Sequence, residues 1–502
     1  MESGMFKEER NGWSGYVEWK EYPKKKEAAT EVLTKLGANK PPEFQFNGTP
    51  TSNTMMEGRR WKVMHTALGF PFSAMPSTSW NVIRAEKASE MRHVLEFPYN
   101  GEPLPDKLAE SEITPNRHHY VRNHGGIPSI DPNAFELEVN GLVNQARRFT
   151  LQELQNEAFF PQRTVAITMQ CSGNRRSEAL SWNPGEGDEL TSTPWEQGAI
   201  STAKWTGISL KKIIKVCCGF NPGAKHVEFF GADTYIKHNV PQNYTVSIPI
   251  TKVQSNEVLL CWKMNDESLP KSHGFPLRAM VLGYIGARSC KWLYKIRALE
   301  APSESPIQRK EYLHYGGQIG KHNGSFSDGI PLQEMPVSSA IMSPRLRDIV
   351  LHEGKIHVSG WAYSGGGRWP ERVEVSPDGG CSWFAVPASN LTRKYRHAWR
   401  LWNLELPVQK EAWVELRCRC FDNAVNTQPA DISEVWNWCG HLINSQHRVT
   451  IYSVNKGTEA ARRGLESMSL QGVPLAPITA PSKLQANPER ESCLFAERDP
   501  DN

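Results

Sequence analysis

The chain predicts an α+β domain followed by an all-β sandwich, and three observations lead there. Short β-type runs such as Phe135-Glu136-Leu137-Glu138-Val139 mix with short amphipathic helices in irregular order through the first part of the chain. From about Ser338 the pattern changes to period-two alternation, as in Lys355-Ile356-His357-Val358-Ser359-Gly360-Trp361-Ala362-Tyr363. Between them lies a stretch rich in Pro, Ser, Gly and His, residues 301–336, with little periodicity.

Residues 1–92 mix Pro, Gly, charge and scattered aromatics, and read as an extension wrapping the main domain, with parts disordered. One helix is expected there over 24–36, stopped by Gly37. Residues 93–325 form the α+β domain, in which 209–216 reads as a helix closed by Gly219. The 301–336 stretch reads as a loop, and a loop of that length usually has a job. The sandwich occupies 335–455. Arg372-Val373-Glu374-Val375-Ser376 is a half-buried strand, and Pro377-Asp378-Gly379-Gly380 supplies its turn. Alternation returns at Trp413-Val414-Glu415-Leu416-Arg417-Cys418-Arg419-Cys420 and at His447-Arg448-Val449-Thr450-Ile451-Tyr452, for about seven short strands in all. Residues 456–502 are rich in Ser, Pro, Ala and charge, and read as a disordered tail.

With 502 residues the chain can build two or three cores. A net charge of +4 spread over that length does not describe a nucleic-acid binder, and Lys24-Lys25-Lys26 reads as a solvated face. No apolar window of about eighteen residues exists to span a membrane. The ten cysteines contain no CxxC pair, so a zinc ribbon is unsupported and a reducing compartment is the simpler reading. The first ten residues lack an apolar run and are too acidic for a transit peptide, while Ser482-Lys483-Leu484 is not terminal. A cytoplasmic location is expected.

The chemistry concentrates in Thr168-Met169-Gln170-Cys171-Ser172-Gly173-Asn174-Arg175-Arg176-Ser177-Glu178. A strand ending in a Gly-containing turn presents its last side chains at a mouth. Neighbouring guanidinium groups favour a thiolate and can hold an oxyanion through paired hydrogen bonds. Other cationic clusters follow: Tyr120-Val121-Arg122-Asn123-His124, His273-Gly274-Phe275-Pro276-Leu277-Arg278, and Gly286-Ala287-Arg288-Ser289-Cys290-Lys291. Cations and backbone N–H groups converging on a glycine-containing loop suit a phosphate.

The Cys171 stretch closely resembles the metal-ligand segment of the sulfite oxidase family, Cys-Ala-Gly-Asn-Arg-Arg, with Ser172 in place of the alanine. Ser364-Gly365-Gly366-Gly367-Arg368 and Val375-Ser376-Pro377-Asp378-Gly379-Gly380 resemble that family's second, immunoglobulin-like dimerisation domain. The resemblance implies a molybdopterin-binding domain, a homodimer formed through the sandwich, and Cys171 as the one protein ligand of molybdenum. It assigns Tyr120, Val121, Arg122, Asn123, His124, Asp233, His273, Arg278, Ser289, Cys290 and Lys291 to the Mo-molybdopterin cofactor. It places Arg122, Arg176, Trp195, Tyr312 and Arg400 around the substrate, with Tyr312 and Arg400 favouring sulfite. The Gly125-Gly126 pair departs from the Leu-Pro common in the family.

No His-Pro-Gly-Gly haem segment and no Rossmann glycine fingerprint is visible, so a haem-free oxidase is expected. It would pass electrons to oxygen or to an external acceptor. A nitrate-reducing or other oxyanion-converting molybdoenzyme is the alternative on the same scaffold. A non-catalytic dimeric scaffold is the reading from a different class, and it would predict loss of Cys171 or of the cationic pocket.

Overall fold

The structure, a computed structural model, describes residues 77–459 except 96–97, 183–191, 238–239 and 321–322, together with 462, 463 and 466. The expected helix over 24–36, and most of the expected N-terminal extension and C-terminal tail, lie outside the described residues.

The first domain holds two five-stranded sheets. One is ordered Arg147–Thr150, Glu136–Gly141, Leu293–Leu299, His226–Lys237, Val240–Pro249. The other runs Glu267–Ser268, Val258–Met264, Ile200–Ser209, Arg163–Gln170, with Arg278–Val281 also pairing with Val258–Met264. A small sheet of Arg92–Leu95, Asn100–Glu102 and Val121–Arg122 brings Arg122 to the site. The helix Leu210–Val216 begins where Ser209 Oγ accepts from Lys211 N, and Gly219 beyond it has a φ of +89°.

The sandwich has eight strands where about seven were expected. A three-stranded sheet of Ser338–Ser343, Lys355–Tyr363 and Arg400–Pro407 faces a five-stranded sheet. The second sheet is ordered Ile349–His352, His447–Asn455, Ala412–Asp422, Pro370–Ser376, Phe384–Ala385. Along Lys355–Ser359 the burial alternates as the residue pattern requires, with Ile356 and Val358 at 1% exposure or less, whereas Gly360–Tyr363 is buried on both faces, where Trp361 joins the core shared with the first domain.

The two domains share a core: Trp361, Tyr363, Trp399 and Leu401 of the sandwich pack into the same cluster as Val281, Ile285 and Leu332. The 301–336 stretch is more structured than a loop. It contains a π-helical turn, Ile307–Glu311, and the paired short strands Leu313–His314 and Ile330–Pro331. Before the first domain's sheets, the helix Ser77–Glu86 packs against the turn Lys271–His273. Its Glu86 carboxylate accepts from Lys271 N at 2.7 Å and Ser272 N at 2.9 Å.

Candidate active site

The buried end of strand Arg163–Gln170 delivers Cys171 into a tight turn that leads to the helix Arg176–Trp182. The turn is pinned where Cys171 N donates to Ala199 O at 2.9 Å and Ala199 N donates to Asn174 Oδ1 at 3.0 Å. Cys171 is a free thiol, 7% exposed, whose Sγ accepts from Gly173 N at 3.4 Å. It opens on a cavity also lined by Tyr120, Val121, Arg122, His124, Met169, Asp233, Tyr244, His273, Arg278, Ser289, Lys291 and Tyr312. The empty volume is about 590 Å³ with its mouth included, enough for an organic cofactor.

The two adjacent arginines diverge. Arg175 takes a φ of +67°, a conformation that costs a non-glycine residue about 1 kcal/mol. In return its side chain pairs with Glu178 at 2.6 Å and donates to Ser445 O and Ser339 O of the sandwich at 2.7 and 3.3 Å. Arg176 lies beneath the Cys171 turn, where a Cβ on Gly173 would come within 2.5 Å of its Nη2. Its Nε donates to Cys439 O at 2.9 Å, Nη1 to Thr193 O at 2.6 Å, and Nη2 to His441 Nδ1 at 3.3 Å. Arg176 therefore acts on the site through its charge, which reaches Cys171 and Tyr312, and is absent from the cavity lining.

Elsewhere in the cavity lining, Arg278 donates to His273 O at 2.9 Å, Ser289 O at 3.1 Å and Met169 Sδ at 3.3 Å. Lys291 Nζ donates to Asn123 Oδ1, and to Ser272 O at 3.0 Å. His273 Nε2 lies 2.6 Å from Nζ of Lys87, which also donates to Asn116 O and His119 O. Burial pulls Lys87 down to about 7 and Arg278 to about 10, and drives Lys291 well below its ordinary value. His119 and His273 are held neutral by burial and by Lys87. Asp233 is the one carboxylate among the described lining side chains, and burial pushes it up to about 7 against the pull of Lys291.

So many desolvated cations beside a single acid are unfavourable without a further anion. Arg278 Nε, Asn123 Nδ2 and Ser272 Oγ are buried without a protein partner. Donors left over next to excess positive charge are what a phosphorylated, heteroatom-rich cofactor would satisfy, so molybdopterin fits. Among the described residues no group of three or more His, Cys, Asp and Glu is placed to hold a metal ion. A metal here would draw a single ligand from the chain, the Cys171 thiolate, a soft donor suited to molybdenum.

Near Cys171, Tyr312 completes the wall. Its hydroxyl lies 2.8 Å from His124 Nε2, and burial pushes it well above the ordinary phenol value, with Arg122 opposing. Trp195 is fully buried and packs edge-on against Tyr120 at 6.3 Å, behind the lining. Cys290 is likewise fully buried and faces its neighbours rather than the cavity; burial keeps its thiol protonated. Asn123 holds Lys291 from outside the lining.

Arg400 requires a correction. It sits at the start of a sandwich strand and donates to Thr392 O at 2.8 Å and Pro370 O at 3.3 Å, among the sandwich's own loops. The Trp-rich alternation around it places the tryptophans in the core and turns the guanidinium to local carbonyls, away from the cavity.

The sandwich reaches the site elsewhere, through residues 437–442, which the sequence reading missed. Leu442 N donates to Ser172 O at 2.6 Å, and His441 stands 5.6 Å from the Tyr312 ring. Lys87, Tyr244 and Met169 were missed as well. Met169 alone had a signal, since it lies two residues before Cys171 on one strand face.

Two family descriptions match the chain: oxidoreductase molybdopterin binding domain over residues 124–307, and Mo-co oxidoreductase dimerisation domain over residues 330–454. The mitochondrial sulfite oxidase of Homo sapiens is 37% identical over 368 residues, covering 71% of this chain and 64% of that protein. The chain thus spans less than two thirds of that relative's length. Sulfite oxidase of Arabidopsis thaliana is 34% identical over 373 residues, 70% of this chain and 92% of that protein. The crystal structure of the sulfane dehydrogenase SoxCD from Paracoccus pantotrophus superposes with a TM-score of 0.58 at 23% identity, covering 73% of this chain and 88% of that one, and shows a shared fold.

Proposed function

The chain belongs to the sulfite oxidase family, and on that premise we propose that it oxidises sulfite to sulfate at a molybdenum centre held by molybdopterin. The observation that carries this reading is one buried, free thiol opening on a cavity walled by Arg122, Arg278 and Lys291, with Asp233 the only acid among its described lining residues.

Oxidation of sulfite to sulfate adds one oxygen atom, drawn overall from water, and releases two electrons and two protons. When bound, the cofactor supplies that oxygen and takes up the electrons. The chain's part is placement. Cys171 Sγ would ligate the metal, and His273, Arg278, Ser289 and Lys291 would hold the pterin and its phosphate, with Arg278 and Lys291 fixed by backbone carbonyls. Arg122 and the Tyr312 hydroxyl hold the sulfite oxygens on the open side of Cys171. Positive charge from Arg176 lowers the cost of bringing an anion to a buried thiolate. The sandwich forms a homodimer, and electrons leave to oxygen or to an external acceptor without haem, in the cytoplasm.

A steady-state assay of molybdenum-loaded protein tests this, with sulfite or nitrate as substrate and both oxygen uptake and ferricyanide reduction followed. Sulfite-dependent ferricyanide reduction is expected. Nitrate turnover with an inert response to sulfite would overturn the reading.

A further inference from the structure

His441 lies about 270 residues from the Cys171 turn in sequence and belongs to the other domain, yet it is 5% exposed and bonded to three parts of the site. Its Nδ1 lies 3.0 Å from Ser172 Oγ and 3.3 Å from Arg176 Nη2, and its Nε2 is 3.2 Å from Glu311 O, one residue before Tyr312. A guanidinium only donates, so Nδ1 is the acceptor. The ring proton then sits on Nε2 and donates to Glu311 O, and the Ser172 hydroxyl donates to Nδ1. Every polar atom of the ring is thereby spent on a segment that carries site chemistry.

The loop that holds His441 is itself fixed. Asn437 Nδ2 donates to His441 O at 2.7 Å, and His441 N donates to Asn437 Oδ1 at 3.1 Å. Gly440, at a φ of +58°, lets the backbone pass over Arg176, where a Cβ would meet Arg176 Cγ at 2.6 Å. Any other side chain there would have to displace the arginine. Ser172 is where the turn departs from the family's alanine, and its hydroxyl meets this imidazole at 3.0 Å.

We propose that His441 is a positioning residue, which with Ser172 sets the orientation of Arg176 and of the Cys171 turn, so that the sandwich domain tunes the affinity of the first domain's site for its oxyanion. The inference rests on the sulfite reading for the identity of that anion.

The test uses molybdenum-loaded protein carrying His441→Leu, His441→Asn or Ser172→Ala. Metal content, the sulfite KM and kcat, and sulfate binding by calorimetry are measured. Removing the acceptor in His441→Leu should raise both KM and the sulfate Kd about tenfold, the scale of one lost charge-assisted hydrogen bond, with kcat changed less than about twofold. His441→Asn keeps an acceptor near Nδ1 and should recover most of the affinity, while Ser172→Ala should shift KM in the same direction by a few-fold. Equal KM and sulfate Kd in all four proteins would overturn the proposal. So would an equal loss of kcat in His441→Leu and His441→Asn with KM unmoved. If His441→Leu fails to load metal, Ser172→Ala decides by the same two readouts. Parent protein that binds sulfate yet does not turn over sulfite would refute the sulfite reading, and the calorimetric comparison would still judge His441.

Discussion

At the end of the cavity formed by His273, Arg278, Ser289 and Lys291, the cations are tied to carbonyls of the first domain, and His273 is held by Lys87, just past the helix Ser77–Glu86. At the Cys171 end the ties cross to the sandwich: Arg175 to Ser339 O and Ser445 O, Arg176 to Cys439 O and His441, and Ser172 O to Leu442 N. The difference separates two tasks. A cofactor that stays bound needs a rigid cage, and a cage is most rigid when built within one packed unit. A substrate site must admit one anion and release another, and assembling it from two units lets the second adjust the first.

Lys291→Met should break the cage with the largest effect. Losing one buried cation of this kind costs about 1.5–3 kcal/mol, so cofactor content at limiting supply should fall about tenfold to a hundredfold. The sulfite KM of the loaded fraction should stay within about twofold of the parent. Molybdenum analysis and kinetics on the same samples separate the two, and a raised KM with full metal content would show that the ends are not independent.

The seam between the domains should respond to acid. His447 Nδ1 accepts from Ile341 N at 3.1 Å, and burial holds this histidine down at about 4, against an ordinary 6.5. His397, whose carbonyl accepts from Thr168 N across the seam, is also pulled to about 4 by burial. A histidine kept neutral in the fold but free to protonate when unfolded gives stability that is full above about 6.5. That stability is lost as pH falls from 6.5 toward 4, at up to about 1.4 kcal/mol per pH unit for each group. His447→Gln, which retains an acceptor without titrating, should flatten the fall in denaturation midpoint between pH 6.5 and 4. An unchanged slope would remove His447 from the seam's acid response.

Arg400→Met should give the smallest functional effect. With its guanidinium spent on Thr392 O and Pro370 O, the expected loss is about 1–3 kcal/mol of stability, read by denaturant melting, with sulfite KM within about twofold. A tenfold rise in KM would return Arg400 to the substrate site.

What could be read in the chain follows the same division. Strands Lys355–Tyr363 and Pro370–Ser376 and the helix Leu210–Val216 were visible because local periodicity and turn residues decide them. The cage residues were visible because each lies in a short motif dense in Gly, Pro and charge, and all four line the cavity. Lys87 was invisible, since its role appears only when the helix Ser77–Glu86 packs on the turn at His273. His441 was invisible for a related reason: Asn437-Trp438-Cys439-Gly440-His441 has no chemical signature until the sandwich closes on Arg176. Arg400 misled because a cation in a tryptophan-rich strand resembles a pocket residue, whereas strand geometry sends it to its own domain's carbonyls. Residues joined by a turn declare their chemistry, and residues joined by domain packing do not.

X-ray absorption at the molybdenum edge, comparing the loaded parent with Cys171→Ser, tests the central claim most directly. The account predicts one fewer sulfur scatterer in the variant, together with loss of sulfite-dependent ferricyanide reduction. An unchanged sulfur shell with retained activity would contradict it, since the metal would then not be held by Cys171.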